Sequence, residues 1–288
     1  KLMKTSIQLQ QQNLAKIGSQ MPVPNYARSA NKIGIVHIGV GGFHRAHQAY
    51  YLNELRQLGE APDWGIYGIG LREADSKLHD IFKKQDHLYT LMVKHPDGKI
   101  EPEVIGSIVD FEMGTSNPES VIARMANANT KIVSLTITEG GYNFNITTGE
   151  FNFDNPDIQQ ELRHPNNPTT VYGFLTAALK RRRDNGLPAF TVLSCDNIEH
   201  NGDVTRKMLL AFAKVQDSAL AEWIAQEVSF PNSMVDRITP VTTNADIDTL
   251  AQNFGVNDAW PVTCEPFIQW VVEDKFTNGR PEFEKVGV

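Results

Sequence analysis

The apolar positions fall into short runs separated by stretches with helical spacing. KIGIVHIG at 32–39 is an apolar run closed by glycine, the pattern of a buried strand. From His44 to Leu58, Ala46, Ala49, Tyr50, Leu52 and Leu55 recur near helical intervals and predict an amphipathic helix. WGIYGIGL at 64–71 predicts a second strand, and DSKLHDIFKKQ a helix after it. HLYTLMVK and KIEPEVIGSI predict a hairpin turning at PDGK. SVIARMANA reads as helix, and the β-branched run KIVSLTIT at 131–138 as strand. TVYGFLTAALKRRRDNG predicts a helix with a basic last turn and a glycine stop. FTVLSCDN at 190–197 is another strand, followed by two helices in GDVTRKMLLAFAKVQ and SALAEWIAQEV.

Strands thus alternate with helices over most of the chain. That order implies βαβ units, a largely parallel sheet and helices on both faces, an α/β fold. Residues 1–31 are polar and Gln-rich, with a short helix expected over 5–17 and extended chain at Pro22 and Pro24. They read as an arm lying over a domain of residues 32–288. The polar stretch 144–170 reads as a long excursion above the sheet. Arg181, Arg182 and Arg183 read as a solvated helix end.

Composition narrows the class. With 288 residues and 41% hydrophobic content, the chain can bury a large core. A net charge of −7 and a pI near 5.6 give no reason to expect nucleic acid or an anionic membrane as partner. No apolar run approaches the ~20 residues of a membrane span. The first residues lack the apolar stretch of a secretory signal. Two distant cysteines, Cys195 and Cys264, make no disulfide scaffold, so a reducing, cytoplasmic setting is expected.

The chemistry concentrates in GVGGFHRAH at 39–47, directly after the first strand. A strand, a glycine turn and a helix form the geometry that binds pyrophosphate. Glycine lets the backbone approach the ligand, and the helix start offers unpaired N–H groups. Gly39 and Gly41 occupy the first two positions of the dinucleotide fingerprint, and the third falls on His44, so the loop is expected to bulge there. Arg45 is expected to give a phosphate a fixed charge. Two matching glycines alone fit an ordinary turn equally well; the strand–turn–helix setting favours the cofactor. After the second strand come Glu73 and Asp75. Asp75 is the favoured ligand for the adenosine ribose hydroxyls, which selects NAD over NADP; a helix N-cap is its alternative reading. His37, His44 and His47 lack a completing ligand set, so no metal is expected.

Four blocks in order, GVGGFHRAH, SLTITEGGYN, FTVLSCDNIEHNG and SFPNSMVDRITPVT, resemble the polyol-specific long-chain dehydrogenase/reductase family from about residue 31 to Val288. The resemblance implies a Rossmann-like, doubly wound sheet with extra strands, joined in the family to a C-terminal helical domain. It implies NAD as cofactor and hydride transfer between a polyol and a ketose, with D-mannitol and D-fructose as the expected pair. It places Gly39, Val40, Gly41, Gly42, Phe43, Arg45, Asp75 and Thr138 at the cofactor. It gives Asn197 a hydrogen bond to the reacting oxygen and sets Glu139 and Asp236 near the active centre. On the residues alone, Asn197 fits a turn after a strand, Asp236 with Arg237 a structural ion pair, and Glu139 a solvated turn.

The family's general base is a lysine in a block of the form Lys-x-x-x-x-Asn-x-x-His, which lies beyond the segment ending at Val288. The resemblance therefore implies that these 288 residues alone are inactive or nearly so. The helical domain, in cis or in trans, is expected to supply the base and to cover apolar surface around Phe267, Trp270 and Val271. A fructuronate- or tagaturonate-type sugar-acid reductase and a non-catalytic NAD-binding module stand as alternatives.

Overall fold

The computed structural model describes residues 5–28 and 32–288. Its centre is a five-stranded, wholly parallel sheet of β1 (Ile33–Ile38), β2 (Gly65–Gly70), β3 (Ile108–Met113), β4 (Ile132–Leu135) and β5 (Thr191–Ser194), in the order β3-β2-β1-β4-β5. The order reverses between β1 and β4. In a doubly wound sheet that switch point opens a crevice at the carboxyl ends of the strands. The chain is a Rossmann-like α/β fold.

Alternation along each strand explains the two layers. Val36, Ile38, Val133, Leu135 and Val192 point into one core, packed under the helices Pro118–Ala126, Val171–Asp184, Asn201–Gln216 and Ser218–Glu227. Ile35, Ile132 and Leu193 point into the other, with Gln48–Gln57 and Ser76–Lys84. No helix among the described residues is long and apolar enough to cross a membrane. Cys195 and Cys264 are free and buried.

Several elements differ from the sequence expectation. The expected hairpin exists, Tyr89–Lys94 against Ile100–Ile105, but β3 follows it at once. Gly106 and Ser107 divide what reads as one run. The Ser107 hydroxyl donates to Ala49 O at 2.7 Å, and the Gly106 N–H donates to Asn53 Oδ1 at 3.0 Å. The helix expected over 44–58 is two, Gly42–Ala46 and Gln48–Gln57, broken at His47 (φ −122°, ψ −91°). Residues 5–17 are not one helix. Ile7–Gln8 pairs in parallel with Val256–Asn257, and a 3-10 turn leads into Leu14–Ile17. Leu9, Leu14, Ile17 and Met21 then bury against Leu88, Met92, Val104 and Leu250, a third apolar cluster.

Arg182 corrects the reading of a solvated helix end. It is fully buried, and its guanidinium donates to the carbonyls of Met125, Asn127, Thr130 and Pro188. A planar cation with five donors there satisfies carbonyls that the Pro118–Ala126 helix leaves open at its end. Arg181 and Arg183 keep the expected exposed role, pairing with Glu119 and with Asp184 and Asp217. The polar stretch 144–170 is likewise structured, holding the bridge Phe144–Phe151 and the helix Pro156–Arg163.

Candidate cofactor cleft and its open rim

A cavity of about 350 Å³ opens at the switch point. It is lined by Ile38 and Gly39 after β1, Leu71, Arg72 and Asp75 after β2, and Thr136 to Thr138 after β4. The residues around Asn155 and Thr170 form its far wall. Gly39 is the residue the geometry demands. Its φ is +92°, and a Cβ would lie 2.1 Å from Thr136 O. Its N–H donates to Ile69 O at 2.9 Å, so the turn is tied to β2 as it leaves β1.

Buried neutral imidazoles support the turn. The Thr136 hydroxyl donates to Gly39 O at 2.7 Å, so its oxygen accepts from His37 Nε2–H, and His37 Nδ1 accepts from Ser134. His44, where the fingerprint has glycine, stacks on His37 with ring centroids 3.5 Å apart and planes 11° from parallel. Where the fingerprint glycine would let helix and strand meet directly, two stacked flat rings stand between them. Gln48 Nε2 donates to His47 Nδ1 at 2.6 Å, and His47 Nε2–H donates to Gln269 O at 2.7 Å. Burial holds His37 well below the ordinary imidazole range, His44 down to about 3 and His47 down to about 4.

The other residues of the turn divide. Gly41 faces open space and Gly42 lies 3.6 Å from Thr239 by its missing Cβ. Val40 is buried beneath, and Phe43 stacks on His47. Arg45 departs from the expectation of a phosphate contact. It is 1% exposed, donates to Trp260 O at 2.8 Å and lies over the rings of Tyr89 and Trp260. A short helix of five residues follows the turn, and its fourth side chain, that of Arg45, points inward rather than at the cavity. Backbone N–H groups, not this guanidinium, are what the turn presents.

Asp75 lines the cavity and is 8% exposed. Its Oδ2 accepts from Arg72 N at 3.0 Å, and its Oδ1 lies 3.5 Å from the Arg72 guanidinium. It does not cap Ser76–Lys84, whose first N–H groups its side chain does not reach. Gly70 lets it stand there, since a Cβ at 70 would meet Asp75 Cβ at 2.6 Å.

Two carboxylates that the sequence reading passed over hold the walls. Asp196 accepts from Ile137 N at 2.9 Å, Thr138 N at 3.1 Å and Tyr142 Oη at 2.6 Å. Glu161 is 1% exposed and accepts from Thr169 N, Thr170 N and the Thr170 hydroxyl at 2.5–2.7 Å. Gly173 makes room for it, since a Cβ there would sit 2.2 Å from Glu161 Oε2. Burial pushes both carboxyls above the ordinary range, against the pull of their donors. The only hint of Asp196 in the sequence is its place beside Asn197 in SCDN, and Glu161 has none.

Thr138 lines the cavity in the left-handed region, φ +61°. Glu139 follows it and is exposed, as are Asn197 and Asp236. Asp196 ties the Glu139 turn to the Asn197 turn. Asn201 ties the latter to the strand of Asp236, donating to Ser194 O and Asp196 O and accepting from Ser233 N at 2.8 Å. Glu139 and Asn197 thus follow β4 and β5 at the rim of the sheet's carboxyl edge, Asp236 ends the separate strand Ser233–Asp236 that Asn201 ties to them, and none of the three lines the cavity. Asp236 and Arg237 form no ion pair. Arg237 is buried, donates to Ala46 O and Glu265 O, and lies over Tyr50. Beside this rim Met234, Ile238, Val241, Phe267 and Val271 are exposed by half or more. Trp270, expected among them, is 3% exposed and packs on Phe283.

Residues 33–285 match the family described as mannitol dehydrogenase Rossmann domain. Mannitol 2-dehydrogenases from Pyricularia oryzae and Aspergillus fumigatus are 50% and 51% identical over 289 residues, covering 98% of this chain and 57% of theirs. Among solved structures, a Pseudomonas fluorescens mannitol 2-dehydrogenase ternary complex with NAD and D-mannitol superimposes with a TM-score of 0.95 at 52% identity, over 98% of this chain and 57% of that one. A D-sorbitol dehydrogenase in substrate-free form gives 0.92 at 43% identity, over 97% and 58%. The chain therefore spans somewhat over half the length of these relatives.

Proposed function

Because this chain belongs to the mannitol dehydrogenase family, as its Rossmann domain, we propose that it forms the NAD(H)-binding half of an oxidoreductase interconverting D-mannitol and D-fructose. The observation that carries this reading is the cleft at the switch point, where Gly39 has no space for a side chain and a carboxylate stands at the end of β2. The cleft falls within the ~300–1,000 Å³ typical of ligand sites. The half-buried turn at Gly41, with open space where a side chain would stand, lets phosphoryl groups approach the backbone, and Asp75 suits the ribose hydroxyls while repelling a 2′-phosphate. The named substrates of the relatives, and the NAD and D-mannitol of the solved complex, support the same assignment.

When bound, NAD would supply the hydride acceptor for alcohol oxidation, and its reduced form the hydride donor for the reverse reaction. The protein's part is to bind, orient and handle the proton. In this reading Thr136 to Thr138 and the Gly140–Gly141 backbone flank the cofactor, while Asn197 donates a hydrogen bond to the reacting oxygen. A preorganised neutral donor there stabilises the charge that develops on oxygen. Glu139 and Asp236 supply acids at the rim. The base that takes the alcohol proton, and the remainder of the polyol pocket, come from a helical domain docked over Met234, Ile238, Val241, Phe267 and Val271.

Calorimetric titration of the 288-residue chain with NADH tests the cofactor assignment; no heat of binding would refute it. Mannitol-dependent NADH formation by the same chain tests the division of labour. Only marginal turnover is expected without the helical domain, and a normal turnover number would show that the base lies within these residues. Fructuronate replacing fructose as the preferred ketose would favour the sugar-acid reading.

A further inference from the structure

We propose that Asp196 is a positioning residue, a clamp that sets the cofactor wall and the two turns bearing Glu139 and Asn197 in one arrangement. The inference rests on the reading of the cleft as the NAD site. Asp196 stands just past the end of β5, half-buried, and takes three donors from a single segment: the amides of Ile137 and Thr138 and the Tyr142 hydroxyl. A carboxylate is the one side chain that accepts at both oxygens and donates at neither when ionised.

The segment it holds would not keep this shape alone. Thr138 is β-branched and left-handed at φ +61°, a conformation that such residues rarely adopt and that persists only where the surroundings over-determine it. Gly141 packs tightly beneath, where a Cβ would come within 2.9 Å of Ile137 Cβ. Two charged-acceptor bonds to consecutive amides fix the two peptides that lead into the strained residue, those on either side of Ile137. The third arm reaches further. Tyr142 is fully buried and its hydroxyl also meets Ser194 Oγ at 2.5 Å, while its carbonyl accepts from Tyr172 Oη at 2.6 Å. Tyr172 belongs to the opposite cavity wall. Asp196 therefore links the β4 turn, the β5 turn and the far wall. Asn197 is the next residue and Glu139 follows Thr138, so both inherit their placement from this carboxylate.

The test is Asp196→Asn, which keeps size and one acceptor but turns the other toward the amides as a donor. NADH affinity is expected to fall about 10- to 100-fold, as for loss of a hydrogen bond to a charged group. The loss is expected to shrink at least about threefold in a Thr138→Gly background, since glycine adopts φ +61° without a clamp. A residue contributing only to global stability would show the same loss in both backgrounds, and that result overturns the proposal, as does unchanged affinity in Asp196→Asn. Amide hydrogen exchange at Ile137 and Thr138 reads the clamp without ligand: protection in the parent chain and its loss in Asp196→Asn are expected, and equal exchange in both overturns it. Should Asp196→Asn fail to fold, Tyr142→Phe removes one donor only; faster exchange at Thr138 is then expected, and unaltered exchange rejects the clamp. A parent chain that protects these amides yet ignores NADH would defeat the NAD reading while leaving the clamp standing.

Discussion

The cleft at the switch point and the rim beside it meet at the turns after β4 and β5, yet they are held differently. In the cleft, Gly39, Thr136, Asp196 and Glu161 have their polar atoms engaged by partners within the domain. On the rim, Asn197, Asp236 and Glu139 are exposed, and half-exposed apolar side chains stand next to them. A surface finished in this way is self-sufficient; a surface left polar and apolar at once awaits another face. The contrast lies in how far this domain satisfies its own groups: the cleft is finished from within, whereas the rim is not; on the proposed reading the first holds the dinucleotide and the second receives the helical domain.

Acid should break the cleft first. His44 and His47 are neutral when folded, with values of about 3 and about 4, against roughly 6.5 unfolded. Their folded values are depressed, so the stability they allow is intact above pH 6.5. As pH falls below 6.5 the unfolded chain takes up protons that the folded chain refuses, and stability drops until pH 4 for His47 and pH 3 for His44. The drop is about 3–5 kcal/mol for each imidazole. Urea unfolding from pH 7 to 4 measures it, and His47→Asn should flatten the slope. Gly39→Ala comes next: left-handed strain and the clash with Thr136 O cost about 3 kcal/mol and abolish NADH binding, read by thermal melts and titration. Glu161→Gln replaces one acceptor by a donor against the Thr169 and Thr170 amides. A loss of about 1.5–3 kcal/mol in chemical denaturation is expected. Asp75→Ala removes the carboxylate that, on the proposed reading, disfavours a 2′-phosphate, and should narrow the preference for NADH over NADPH by on the order of tenfold in competitive titration. The rim gives the smallest effect: Asn197→Ala should change stability by no more than about 0.5 kcal/mol, and a larger loss would mean that Asn197 belongs to the cleft's own network.

Much of the frame was legible. The run at 132–135 and the run at 33–38 announce central strands because burial on both faces leaves a single polar position in each, Ser134 and His37, which hydrogen-bond to each other. Gly39 was legible because a positive φ against a neighbouring carbonyl admits no other residue. Other features were not. Arg45 sits beside the glycines in sequence, but its partner, Trp260 O, lies 215 residues away, so nothing local tells that the guanidinium turns inward. Arg182 reads as one of three exposed arginines until four carbonyls from two segments, 125–130 and Pro188, converge on it. Strand β3 was hidden because its Asp110 and Glu112 face the open edge of the sheet and break the apolar pattern.

By itself the sequence determined most of the order of strands and helices, the position of the glycine turn after the first strand and membership of the family. These depend on side-chain periodicity and local steric rules, which act over a few residues. Only the tertiary structure decided which charged groups face a ligand and which face the core. It sent Arg45 and Arg237 inward, stacked His44 on His37, and gave Asp196 and Glu161 the cavity walls. A buried charge is stable only where distant backbone groups converge on it. That convergence is made by chain segments tens to hundreds of residues apart, which no short pattern of residues records.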